Sequence, residues 1–338
     1  MSLIKSYLEN RKQRVKINST ISNENTIKCG VPQGTTLSPV LFNIHLNDIK
    51  LLKLNSKIVC YADDTVLICT GSSWNEVLKN IEVDLKSIHN WLSDNSLFLN
   101  LNKSTILLHS LSEQTLPPIH NIKIHESNCN TLDSCDCNSV SIVKNCKYLG
   151  IEMCSDMKWI NQITSVTNKL KKMIYIMKEL REILPFKDIR TIYLTLFESI
   201  ISYGIIGWGG AYNNALLTLQ KCQNTILRVA YKKNWRFPTE KLFEDFNVLN
   251  IELLYLKTIT IYLKKHNQLD SINHGVNTRY AASKFSLDWP SKTSCRKVYY
   301  FLGKQILNSM PNDMVILPLP IFKKKINHWL RYEYVCKT

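Results

Sequence analysis

Two adjacent carboxylates, Asp63 and Asp64, follow Tyr61-Ala62 between two apolar runs, Lys57-Ile58-Val59-Cys60-Tyr61 and Thr65-Val66-Leu67-Ile68-Cys69. Like charges side by side are costly unless a cation neutralises them. Carboxylate oxygens are the ligands that Mg2+ takes, so acids held together could serve metal-assisted phosphoryl transfer. A solvated polar turn is the plainer alternative for the pair taken alone. A second stretch, Val31-Pro32-Gln33-Gly34, joins a glycine that permits close backbone approach to a glutamine that donates and accepts without adding charge. Lys103, in Asn100-Leu101-Asn102-Lys103-Ser104, could place a cation near a phosphate or simply face solvent.

The elements that must position these residues are legible from their patterns. The runs around Ala62-Asp63-Asp64 are β-branched and aromatic, which predicts a β-hairpin with the acids at its tip. Residues 15–17 and 27–29 predict a second hairpin around a polar loop at 18–25. Ser38 before Pro39 predicts a helix start, with a hydroxyl cap and proline in the first turn, continued by Leu41, Ile44 and Ile49. Trp74, Val77, Leu78, Ile81, Leu85, Ile88 and Leu92 fall on one helical face and read as core packing. Strands are expected at 97–100, 105–108 and 146–151, with a polar insertion at about 111–145. Beyond Asp156 the period becomes helical: 163–180, 186–203, 215–231 and 249–266, then a break at 271–275 and a last basic helix around Phe322-Lys323-Lys324-Lys325-Ile326.

Composition bounds the partners. The 338 residues are 45% hydrophobic, enough for sizeable cores, and 43 Lys and Arg against 27 Asp and Glu give a net charge of +16. A basic excess spread along the chain suits a polyanion, because each neutralised phosphate releases counterions. Eleven scattered cysteines without a signal peptide point to a reduced, intracellular setting, nucleus or cytoplasm unresolved. His120, His125, Cys129, Cys135, Cys137 and Cys146 are crowded, but the one close pair, Cys135-Asp136-Cys137, lacks the repeated two-to-four-residue spacing of zinc sites. No apolar run approaches the ~20 residues of a membrane span.

Taken in order, these motifs resemble a reverse transcriptase. Val31-Pro32-Gln33-Gly34 with Leu37-Ser38-Pro39-Val40-Leu41-Phe42 resembles the segment before that family's catalytic hairpin, and Tyr61-Ala62-Asp63-Asp64 resembles the hairpin itself. Leu97 to Ser104 is similar to the next motif and Lys147-Tyr148-Leu149-Gly150 to the primer-grip turn. Alanine in the second hairpin position is similar to non-LTR retrotransposons of the insect jockey type. Ile4-Lys5-Ser6-Tyr7-Leu8-Glu9-Asn10-Arg11 resembles their preceding helix, and Ser202-Tyr203-Gly204 with Gly207-Trp208 their thumb. Asn277-Thr278-Arg279, Gly303 and Asn308-Ser309-Met310-Pro311 resemble their usual end.

The resemblance implies an RNA-directed DNA polymerase using Mg2+, or Mn2+, with an RNA template, a DNA primer and deoxynucleoside triphosphates. Asp63 would ligate metal, with Asp64 as a second ligand or a support of the turn. Pro32, Gln33, Gly34 and Tyr61 would line the template and nucleotide pocket. Lys103 would serve the triphosphate, Tyr148, Leu149 and Gly150 would hold the primer, and the basic helices at 169–181 and 221–236 would track phosphates. The implied fold is α+β: an antiparallel palm sheet with helices at 1–155, a helical thumb at 156–270 and a small basic C-terminal unit at 271–338. The family's third catalytic acid comes from a strand N-terminal to the segment like Ile4 to Arg11. The expectation is therefore an N-terminally truncated polymerase, without its fingers, inactive by itself and prone to self-association through exposed apolar palm surface. A non-catalytic nucleic-acid-binding remnant is the alternative, and an unrelated structural protein a distant third.

Overall fold

The protein is described by a computed structural model covering residues 2–110, 116–119, 121–124, 137–266, 268, 285–287, 289–290 and 296–334. It is a mixed helix-and-sheet structure in two units, Met1–Val143 and Lys144–Thr338.

The first unit opens with α1 (Ser2–Leu8). Strands β1 (Lys12–Gln13) and β4 (Asn25–Thr26) then pair around β2 (Lys16–Ile17) and β3 (Thr20–Ile21). The turn here is Asn18-Ser19, with Asn18 at a φ of 54°, so pairing continues into the stretch expected as loop. Helix α2 (Ser38–Leu46) follows a positive-φ glycine loop. Ser38 does not cap it: the cap position is Leu37, and the buried Ser38 hydroxyl turns back to the Pro32 carbonyl. A 3-10 turn (Asn47–Leu51) leads to β5 (Lys57–Tyr61) and β6 (Asp64–Ile68), paired in antiparallel register. Helix α3 (Trp74–Asp94) is capped by the Ser73 hydroxyl, which accepts from the Glu76 N–H, while the Glu76 carboxylate accepts from Ser72. The bond from the Ser72 N–H, with that from its hydroxyl, holds the Glu76 carboxyl below its usual pKa.

Three expectations need correction. The single antiparallel palm sheet is absent among the described residues: β5–β6 is a two-stranded sheet by itself, because the neighbouring strands β1 to β4 are two exposed residues each and pair only with one another. The stretch expected as a strand at 97–100 has no regular secondary structure, and the described part of the insertion supplies strands. Strands β8 (Asn121–Lys123) and β9 (Ser139–Val143) join β7 (Thr105–Leu107) in the order β7-β9-β8, with β7 parallel to β9. The alternation in Ser139-Val140-Ser141-Ile142 puts Val140 inward with Ile106, Leu108, Ile122 and Ile124, under the apolar face of α3. His120, His125, Cys129 and Cys135 lie outside the described residues.

The second unit begins with a hairpin, β10 (Asn145–Tyr148) and β11 (Ile151–Cys154), followed by the long α4 (Ile160–Ile183). Next come α5 (Phe186–Ile192), a π-helical stretch (Tyr193–Glu198), α6 (Ser199–Ser202), α7 (Ile205–Trp208), α8 (Asn213–Ala230), α9 (Thr239–Phe246) and α10 (Ile251–Lys265). Three more, α11 (Tyr299–Ser309), α12 (Asn312–Ile316) and α13 (Leu319–Trp329), end the helical series before a π-helical stretch (Leu330–Tyr334). Ile163, Val166, Leu170 and Met177, the stripe expected on α4, are buried in one core with Leu219, Ile226 and Leu227 of α8 and Ile259 and Leu263 of α10. Leu307, Phe322 and Ile326 of the C-terminal helices belong to the same core. The break at 271–275 and Asn277 to Arg279 lie outside the described residues.

Candidate metal and nucleotide site

Tyr61 pairs with Asp64 across a two-residue turn, Ala62-Asp63, with Ala62 at a φ of 52°. A single left-handed residue in the first turn position is the pattern of a type II′ hairpin, whose twist suits the strands. Asp63 therefore sits at the tip, and Asp64 is the first strand residue, sharing a strand face with Tyr61, Val59 and Val66. Both acids are exposed, and among the described residues neither makes an ion pair. Their oxygens fit a hard divalent cation in kind, but supply only part of the roughly six that Mg2+ takes. No group of three or more His, Cys, Asp or Glu side chains that could hold a metal stands among the described residues.

A residue that the periodicity assigned to no role anchors this hairpin. Asp84 of α3 is fully buried, and its carboxylate accepts from the Asn55 N–H at 2.9 Å, the Asn55 amide at 3.1 Å and the Ser56 N–H at 2.7 Å. It thereby fixes the backbone immediately before β5. The signal was in the sequence: a carboxylate three residues after Ile81, on the face of α3 that is otherwise apolar.

The Pro32-Gln33-Gly34 loop is clamped from α1. The Arg11 guanidinium donates to the Leu8 carbonyl at 2.9 Å and to the Gly30 carbonyl at 2.5 Å, joining the end of α1 to the turn before the loop. The Tyr7 hydroxyl bonds the Thr35 and Ser38 hydroxyls, which bond each other at 2.6 Å. Hydrogen bonds from Ser38 and then Thr35 hold the Tyr7 phenol below its usual pKa. Gln33 and Gly34, the latter at a φ of 80°, are thus left exposed on a braced loop. Lys103 is exposed on a turn whose N–H groups at 103 and 104 donate to the Asn100 carbonyl at 3.1 and 3.0 Å. No hydrogen bond or ion pair among the described residues joins Gln33 or Lys103 to Asp63 or Asp64.

In the second unit, Tyr148-Leu149-Gly150-Ile151 is a tight turn with Leu149 at a φ of 45° and Gly150 at 81°, both left-handed as a type I′ turn requires. The Tyr203 hydroxyl donates to the Leu149 carbonyl at 2.6 Å, and the Trp208 indole donates to the Tyr203 carbonyl at 3.0 Å. Gly204, at a φ of 64°, lies so close that a Cβ there would stand 2.3 Å from Ile151 Cδ1. The Ser202-Tyr203-Gly204 and Tyr148-Leu149-Gly150 motifs, far apart in sequence, are thus one packed structure.

The family described as "Reverse transcriptase (RNA-dependent DNA polymerase)" matches residues 1–153, the stretch that holds the clamped loop and the acidic hairpin. Residues 1–153 match the reverse-transcriptase family. Similar proteins include the probable RNA-directed DNA polymerase from transposon X-element of Drosophila melanogaster, 23% identical over 74% of this chain and 27% of its own. The corresponding protein from transposon BS of the same fly is 23% identical over 79% of this chain and 30% of its own. The RNA-directed DNA polymerase from mobile element jockey of Drosophila funebris is 24% identical over 80% and 29%. The resemblance to the reverse transcriptases of jockey-like, non-LTR elements holds. The chain spans under a third of the length of these relatives. No solved structure matches it.

The basic helices of the second unit divide by role. Arg181 donates to the Val229 carbonyl at 2.7 Å, and Arg228 to the Phe237 carbonyl at 3.2 Å and the Thr239 hydroxyl at 3.0 Å. These arginines tie helices together, whereas Lys169, Lys171, Lys172 and Lys178 are exposed. No helix among the described residues is long and apolar enough to cross a membrane.

Proposed function

We propose that the chain carries the nucleotidyl-transfer hairpin and the nucleic-acid-holding helices of an RNA-directed DNA polymerase. In this reading residues 1–155 correspond to palm, 156–270 to thumb and 271–338 to a basic C-terminal unit. The observation that carries it is the pairing, within the matched family segment, of exposed and unpaired Asp63-Asp64 on a tight hairpin with an exposed Gln33-Gly34 on a braced loop.

Asp63 and Asp64 would hold Mg2+, whose chemistry when bound is to neutralise phosphate charge and lower the pKa of an attacking hydroxyl. Gln33 and Gly34 would present an uncharged, open backbone surface to template and nucleotide. Tyr61, on the strand face of Asp64, would meet the primer end, and Lys103 would offer a cation to the triphosphate. The Tyr148-Leu149-Gly150 turn would hold the primer backbone, and the exposed lysines of α4 would contact phosphates without reading sequence. Two carboxylates from neighbouring residues make an incomplete donor set, so a third must come from outside the described residues for catalysis.

Binding to an RNA–DNA hybrid as a function of salt tests the holding half of this reading. Affinity should fall linearly on logarithmic axes as salt rises, with the slope of several phosphate contacts. Salt-insensitive binding, or none, would remove it.

A further inference from the structure

The loop between α8 and α9 carries a feature that phosphate tracking does not explain. Tyr231-Lys232-Lys233-Asn234-Trp235-Arg236-Phe237 is pinned at both ends. At one end the Tyr231 ring packs 4.5 Å from Phe186 and 5.3 Å from Phe246, centroid to centroid, and the Lys233 N–H donates to the Arg228 carbonyl at 2.9 Å. At the other, the Arg228 guanidinium holds the Phe237 carbonyl, and the Phe237 N–H closes a turn onto the Asn234 carbonyl at 3.2 Å. Lys232 is engaged with Glu182 at 2.7 Å. Between these anchors Trp235 stands 76% exposed. The Arg236 guanidinium lies 4.9 Å from its ring centroid, and the Lys233 ammonium lies 4.8 Å from that of Phe237.

A large ring held out on a braced loop, with a cation beside it, has the parts of a base-stacking platform. The indole offers a π-face that any nucleobase can cover, and the neighbouring cation offers phosphate contacts. Duplex bases have their faces stacked already, so such a platform selects unpaired nucleotides. We infer that Trp235, with the Arg236 guanidinium against its ring, is a stacking site for an unpaired base of single-stranded nucleic acid. This deepens the polymerase reading, on which it rests for the class of ligand, and adds discrimination of single strand from duplex.

The test is fluorescence-anisotropy titration of the full chain with a labelled single-stranded RNA of about ten nucleotides and with a duplex of equal length. Trp235→Ala should weaken single-strand binding by roughly 10- to 100-fold, the range of one lost base stack, and duplex binding by under about threefold. Trp235→Phe, which keeps a ring, should restore most of the single-strand affinity. An unchanged melting temperature for both variants certifies the fold, as expected for an exposed side chain. Equal losses on both ligands, or no loss on either, would overturn the stacking site while leaving the polymerase reading intact. If the wild-type chain binds neither ligand, both are overturned. A protein-docking role for the same tryptophan gives the no-loss outcome.

Discussion

Asp84 shows how a single side chain can position the candidate site without touching it. Its carboxylate satisfies two backbone N–H groups just before β5, and truncation would leave the N–H of buried Ser56 without its partner. Asp84→Ala should therefore cost about 3–6 kcal/mol, the sum of two charge-assisted bonds, read as a lower urea midpoint at unchanged slope. At the hairpin tip, Ala62 occupies left-handed backbone, which costs a non-glycine residue about 1–2 kcal/mol. Ala62→Gly should stabilise the chain by roughly 1 kcal/mol by the same measurement; no change would mean that the tip is not held in that conformation. Asp63, Asp64, Gln33 and Gly34 could be singled out in the sequence because their types are chemically particular. Tyr7 and Arg11 were missed as supports because their partners are hydroxyls and backbone carbonyls, which leave no spacing signature; Asp84 was legible only as an acid on an apolar helix face.

Elements were legible where one face is buried against a continuous core, and not where pairing decides. The stripes of α3 and α4 stand as expected because a 3.6-residue period specifies a helix by itself. Strands β8 and β9 were hidden in a polar stretch, since two or three inward residues, Ile122, Val140 and Ile142, suffice for a short strand. The Tyr148–Gly150 turn depends on a distant element: Tyr203→Phe, removing one hydroxyl bond, should cost about 1 kcal/mol. Gly204→Ala, which adds a left-handed side chain against Ile151, should cost roughly 1–3 kcal/mol. Both are measurable by thermal unfolding, and a silent Gly204→Ala would contradict the packing. The π-helical stretch ends at Glu198, whose carboxyl burial pushes above its usual pKa, with Lys257 and Arg190 offsetting part of the shift. The folded state thus disfavours the charged form: no penalty exists below the unfolded pKa, and it is fully present once pH has risen through the folded one. Glu198→Gln should raise the melting temperature at neutral pH and leave it unchanged near pH 3, where the carboxyl is protonated in either state.

For the whole chain, charge and the matched family segment point the same way. A net charge of +16 and exposed lysines on α4 suit a phosphate polyanion, and residues 1–153 match the reverse-transcriptase family. Val40, Ile44, Leu51 and Phe98 are exposed, Phe98 at 94%. What the donor set supports is narrower than what the family does, because Asp63 and Asp64 stand without a third ligand among the described residues. The measurement that bears most directly on this is primer extension by purified residues 1–338 on an RNA template with Mg2+ or Mn2+, alongside Asp63→Ala and a filter-binding assay of the same hybrid. The expected result is retention of the hybrid without extension. Extension by the unmodified chain that Asp63→Ala abolishes would contradict it.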